Sequence, residues 1–147
     1  MSTIKLVNDN EIIMVDDDEM EFMIARRFLK KSKVTNQLVT FDDHREFLTY
    51  ISQVASGNRP IPALVMLDVR MGSISGFELL QQIRTYSTLK ELPIVMMFSN
   101  SNLVSDIKRA EDLGANGYQV KPDNGKDFVA FFNSLIPTEK LVDCPVE

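Results

Sequence analysis

The sequence contains one histidine, His44, and one cysteine, Cys144, among 147 residues. Zinc fingers, Cys–His catalytic pairs, sites that need a second histidine and disulfide frameworks are therefore excluded as organising features. Cys144 has no intrachain partner, which fits a soluble protein of the reducing cytoplasm. Long apolar runs are also missing. Ala63–Leu67 and Ile94–Phe98 hold five residues each, far below the roughly 20 that span a bilayer. The first eleven residues mix Lys5 and Asp9 with polar neighbours and lack a signal-peptide core. Positive charge is in deficit: 16 Lys and Arg against 21 Asp and Glu give a net charge of -5. That balance argues against nucleic acid or an anionic membrane as the main partner. No internal repeat or low-complexity stretch is present.

What remains has the composition of a globular domain, 44% hydrophobic and 25% charged. The length allows one domain. Short apolar runs alternate with helix-period segments, the pattern of a parallel sheet covered on both faces. The predicted strands are Ile12–Val15, Leu38–Phe41, Ala63–Leu67, Ile94–Met97 and Gly117–Val120. Five helices are predicted between and after them. The first spans Glu19–Lys31 with Met20, Met23, Ile24 and Phe28 as its buried stripe. The second follows Asp43, with Glu46 three residues on as a capping-box variant. The third carries Phe77, Leu80 and Ile83. The fourth runs from near Ser105 to Gly114. The fifth follows Asn124 and is ended by Pro137, whose ring lacks an N–H. Residues 1–8 read as a lead, 9–136 as the domain, and 137–147 as a tail too short for an effector domain.

In open parallel sheets, sites form outside the carboxyl ends of the strands. There the sequence places Asp16-Asp17-Asp18, Asp68, Ser99 and Lys121-Pro122. Taken alone, the acidic run reads equally as helix capping. Asp68 directly follows five apolar residues, and a buried carboxylate needs a partner. Two like charges about 4 Å apart at an effective dielectric near 20 repel by roughly 4 kcal/mol. If Asp17 and Asp68 converge, they must take up a proton, pair with Lys121 or hold a cation. One lysine cannot neutralise three carboxylates, and oxygen-only ligands suit a hard ion such as Mg2+.

The stretches Ile13-Met14-Val15-Asp16-Asp17, Leu67-Asp68-Val69-Arg70-Met71 with Ser75-Gly76-Phe77-Glu78, and Gly114–Pro122 together resemble the receiver domain of two-component response regulators. The layout is similar to the single-domain chemotaxis regulator and covers about residues 9–136. The resemblance implies a flavodoxin-like, doubly wound, five-stranded parallel sheet, order 2-1-3-4-5, with five flanking helices. It implies that Asp68 accepts a phosphoryl group and that the chain catalyses its own phosphorylation and dephosphorylation there. Asp16, Asp17, Asp68 and the Arg70 carbonyl would hold Mg2+. Lys121 would reach the phosphate, and Lys121–Pro122 would be a cis peptide. Ser99 and Tyr118 would form the switch.

Two positions depart from the family pattern. Gly72 replaces the usual proline after Met71, allowing the loop's turn without pre-setting it. The switch hydroxyl depends on the count: five residues on from Pro93 falls on Phe98, whereas counting back from Lys121 falls on Ser99. Ser99 is preferred because the downstream spacing is intact. Asn100 would then be a bulkier neighbour than is usual.

The implied partners are a histidine kinase or phosphotransfer protein upstream and a protein target downstream, with no nucleic acid and no membrane. The docking face would include Val104 and Tyr118, or would serve a homodimer instead. The rival readings are a degenerate receiver that binds protein without phosphorylation, and a flavodoxin-like nucleotide or flavin domain. The latter lacks a Gly-rich first turn, and Asp16-Asp17-Asp18-Glu19 would repel phosphate.

Overall fold

Runs of β-branched and aliphatic residues such as Ile12–Val15 (β1) and Leu64–Asp68 (β3) are buried along their whole length. That is the signature of strands covered on both sides. A computed structural model describes residues 4–98 and 104–137. Ser99, Asn100, Cys144 and residues 138–147 lie outside the described residues.

With β2 (Leu38–Phe41), β6 (Ile94–Phe98) and β7 (Gly117–Val120), these strands form one parallel sheet, in the order β2-β1-β3-β6-β7. This is the expected 2-1-3-4-5 order. The numbering shifts because a two-stranded antiparallel hairpin, β4 (Arg70–Met71) and β5 (Ile74–Ser75), interrupts the chain after β3.

Side chains alternate across the sheet and build two cores. Ile13, Val15, Val65, Leu67, Ile94 and Met96 face α2 (His44–Ala55), α3 (Gly76–Arg84) and α4 (Val104–Asp112). Ile12, Met14, Leu64, Met66, Val95 and Met97 face α1 (Glu19–Lys31) and α5 (Gly125–Ser134). Leu6 joins the second core, and its N–H donates to Leu135 O at 2.8 Å. Asp18, Asp43, Ser75 and Asn124 cap α1, α2, α3 and α5 with side-chain acceptors.

Helix α1 has the expected bounds but the opposite phase. Phe22, Ala25 and Leu29 are buried. Met20 and Met23 are 61% and 60% exposed, Ile24 is exposed, and Phe28 is half-buried. Both sets recur every three or four residues, so periodicity defines a stripe on each side and does not choose between them. Met20 and Phe22 lie roughly 200° apart around the helix. The small Ala25 is fully buried on the second face.

Candidate phosphoacceptor site

The site follows from strand register. β1 and β3 run parallel with Val15 beside Leu67, so Asp16 and Asp68 occupy the next rung on adjacent strands. Both side chains continue the parity of Met14 and Met66, toward α1 and α5. Asp16 and Asp68 are only 2% and 6% exposed. Two carboxylates side by side in such a place repel.

Lys121, the residue after β7, answers that repulsion. Its Nζ lies 3.1 Å from Asp16 Oδ2, 3.4 Å from Asp68 Oδ1 and 3.9 Å from Glu21 Oε2. Burial, with Asp16 adding to it, pushes the Asp68 carboxyl up to about 6, although Lys121 pulls it back. Burial pulls Lys121 down, but Asp68, Asp16 and Glu21 outweigh it and leave the ammonium above its ordinary value.

Asp17 is exposed beside this pair. Asp16, Asp17 and Asp68 each offer a carboxylate oxygen, all within 4.8 Å of one another. This hard, all-oxygen donor set fits Mg2+ and leaves room for waters. Arg70 lies in β4 with its side chain exposed, its backbone paired with Ser75 across the hairpin.

Local structure explains why the loop after Asp68 takes this course. The turn between β4 and β5 has two residues, Gly72 and Ser73, with Gly72 at φ 64°. This matches a II′ hairpin turn, which calls for glycine at its first central position. Proline, fixed near φ −65°, has no access to it. The departure from the family pattern is thus a different turn, one that glycine itself specifies. An added Cβ at Gly72 would lie 3.5 Å from Asp17 Oδ2, so the hairpin tip forms a wall of the acidic cluster. Gly76 closes the loop: its N–H donates to Val69 O at 2.9 Å, and its Cα packs against the Asp68 carbonyl. A cavity of about 510 Å3 opens onto Asp16 and Asp17 between this hairpin and His44-Arg45 of α2.

The Lys121–Pro122 bond is trans, since no cis peptide occurs among the described residues. This corrects the cis isomer that the resemblance implied; trans is the intrinsically favoured form even before proline. Tyr118 packs against the core of the α2–α4 face, with its hydroxyl oxygen shielded from solvent. Val104 is largely exposed on α4. Ser99 is outside the described residues. β6 reaches Phe98, whose backbone pairs with Val120.

Residues 12–133 match the family model described as the response regulator receiver domain. The chain belongs to that family. Among curated relatives, the probable methanogenesis regulatory protein FilR2 of Methanothrix harundinacea is 28% identical over 116 residues, covering 79% of this chain and 74% of that protein. Among solved receivers, the phosphorylated cyanobacterial phytochrome response regulator RcpA is 26% identical at a TM-score of 0.74, covering 95% of this chain and 98% of its own. The Mn2+-bound form of response regulator Rcp1 shares the fold at a TM-score of 0.72 and 23% identity, covering 95% and 99%. No described helix is long and apolar enough to cross a membrane.

Sequence reasoning named Asp16, Asp17, Asp68 and Lys121, and the fold brings them together. It missed Glu21. The available signal was position: Glu21 lies in the first turn of α1 beside the buried Phe22, on the flank that faces β7 and α5. Glu21 lies about 100° from both Met20 and Phe22 around the helix, on the border between the expected and the observed stripe, so periodicity did not single it out.

Proposed function

We propose that this receiver is a phosphorylation-switched signalling protein. In this reading Asp68 accepts a phosphoryl group from the phosphohistidine of a histidine kinase or phosphotransfer protein, and the change shifts a docking face for a protein partner. The observation that carries it is the Lys121 ammonium held 3.4 Å from the Asp68 carboxylate at the carboxyl edge of the sheet. An Asp68 oxygen attacks phosphorus. The new O–P bond forms as the P–N bond breaks, and the imidazole leaves with its electron pair. Lys121 turns from Asp68 to the incoming phosphoryl oxygens, which need a cation there. Mg2+, when bound, offsets the repulsion between anionic nucleophile and anionic phosphoryl group. Asp16, Asp17, Asp68 and the Arg70 carbonyl are its proposed ligands. The Mn2+ held by Rcp1 and the phosphorylated state of RcpA belong to chains of this fold and support the reading. Hydrolysis ends the state: the new bond from water oxygen to phosphorus forms as the Asp68 O–P bond breaks, the water gives up a proton to solvent, and the Asp68 carboxylate and inorganic phosphate are left.

Ser99, next in sequence after β6, is the proposed hydroxyl of the switch, and Tyr118 its aromatic member. The face of α4, β7 and α5, with Val104 exposed, is the proposed output surface. For the upstream partner, the exposed Met20, Met23 and Ile24 on α1 offer an apolar surface next to the acidic cluster. The degenerate-module reading rested on Gly72 and Phe98. The hairpin turn gives Gly72 a structural account, which removes one of those two motives.

The test is incubation with Mg2+ and acetyl phosphate, followed by intact-mass measurement. The wild type should gain one phosphoryl group, only with Mg2+ present, and Asp68→Asn should gain none. An adduct that persists in Asp68→Asn would place the chemistry elsewhere.

A further inference from the structure

Lys121 is shared by three carboxylates, but only two of them belong to the acidic cluster. Asp16 and Asp68 contribute oxygens to the group that can hold a metal; Glu21 does not. Glu21 approaches from α1, with Oε2 3.9 Å from Nζ. Its side chain is 29% exposed, against 1% for Asp16 and 8% for Asp68. It therefore meets the ammonium at the mouth of the site rather than its floor, where bringing a carboxylate to a cation costs little desolvation.

Phosphorylation changes what each carboxylate does. Asp68 becomes an acyl phosphate, and Asp16 and Asp17 turn to the metal. The phosphoryl oxygens then need Lys121, whose Nζ already lies 3.4 Å from the oxygen set that carries them. Among the described side chains, Lys121 is the cation paired with Glu21, and Glu21 keeps that pairing. A carboxylate in that position draws part of the ammonium's charge away from the phosphoryl group and adds its own repulsion. Toward a divalent cation its effect has the opposite sign, because one more negative charge at the mouth raises the local cation concentration.

Building on the phosphoacceptor role of Asp68, we infer that Glu21 is a positioning residue that attenuates phosphorylation. It competes with the phosphoryl group for the Lys121 ammonium while favouring the divalent metal. Its place in the first turn of α1 makes it the one acidic group of the site carried on a helix instead of a strand end. Any partner that rests on α1 and draws Glu21 outward releases Lys121 to the phosphoryl group.

The sign reversal supplies the test. Glu21→Gln removes the charge and keeps the shape, and Glu21→Asp keeps the charge on a shorter arm. Metal affinity is read by calorimetry with Mg2+ alone. Affinity for the phosphoryl mimic beryllofluoride and the rate of phosphorylation by acetyl phosphate are read at saturating Mg2+. Glu21→Gln should bind Mg2+ about twofold more weakly, yet bind beryllofluoride and react with acetyl phosphate roughly two- to fivefold more strongly and faster, the span of a partly exposed ion pair. Glu21→Asp should fall between Glu21→Gln and wild type, and the differences should shrink as ionic strength rises. A purely structural role would move both affinities the same way, and that result, or no change in either, overturns the inference. If the wild type forms no Asp68-dependent adduct at all, the phosphoacceptor reading fails first and takes this inference with it.

Discussion

Lys121 and Asp68 face each other at 3.4 Å, Nζ to Oδ1, at a sheet edge where both side chains are almost fully shielded from water. Without the ammonium, Asp16 and Asp68 would be neighbouring buried carboxylates with no compensating charge. Lys121→Met should therefore lower unfolding free energy at pH 7.5 by about 2–4 kcal/mol, the cost of leaving buried charge unpaired. The deficit should narrow at pH 5, because loss of Lys121 raises Asp68 further and lets it take up a proton. Mg2+ should narrow it too, by binding the folded state. Urea titrations at the two pH values, with and without Mg2+, check both effects.

Asp68 itself imposes a pH dependence. It titrates near 6 in the folded protein against an ordinary 3.8. Between those values the folded state binds the extra proton, so the Asp68 contribution to stability falls as pH rises from about 4 to 6 and then stays low. Asp68→Asn removes that penalty. It should unfold about 1–3 kcal/mol less readily than wild type at pH 7.5, with the difference closing toward pH 4. In the metal-free protein the same proton blocks the nucleophile. The Asp68 carboxylate should become available as pH rises through about 6, a change visible in the carboxyl carbon shift by NMR. A flat stability difference across this range would contradict the burial argument.

The hairpin after Asp68 makes a prediction that runs against the family pattern. Gly72 sits at φ 64° in a two-residue turn. Installing the proline that receivers usually carry there should destabilise this protein by about 1–3 kcal/mol, since proline has no access to that conformation. Gly76→Ala should be at least as costly, because its Cβ would collide with the Asp68 carbonyl. The two variants differ in where they act. Gly76→Ala displaces the Asp68 backbone and should weaken Mg2+ binding, whereas Gly72→Pro acts first on the turn. Thermal melts with and without Mg2+ separate them.

The parts of this protein that were legible in the sequence share a physical feature: each was signalled by residues adjacent in the chain. Strand ends announced themselves as Val15-Asp16 and Leu67-Asp68, and the sheet order followed from the family resemblance. The missed features depend on direction or on nonlocal register. The α1 stripe was inverted because Met20-Met23-Ile24 and Phe22-Ala25-Leu29 satisfy the same spacing, and the inward face is the one that packs with Phe128 and Phe132 of α5. Glu21 was missed because it borders both stripes and because its partner Lys121 arrives from the far end of the chain. The β4–β5 hairpin was missed because two-residue strands carry no periodicity. Gly72 read as a loosened turn when it is the residue that this turn demands.

That inversion is itself testable, and it separates folding from recognition. Phe22 is buried between α1 and the sheet, so Phe22→Ala should cost about 3–4 kcal/mol. Met20 and Met23 point outward, so Met20→Gln with Met23→Gln should change stability by less than about 0.5 kcal/mol. Met20 follows the acidic run Asp16-Asp17-Asp18 by two residues, and under the proposed function a phosphodonor approaches that cluster. If α1 is where a protein donor rests, the double variant should keep the wild-type rate with acetyl phosphate and lose roughly tenfold or more in transfer from a phosphorylated histidine kinase domain, since exposed apolar anchors contribute about 1–2 kcal/mol each to such contacts. Equal losses with both donors would mean that the methionines shape the site instead of the docking surface. A large drop in melting temperature would return Met20 and Met23 to the core.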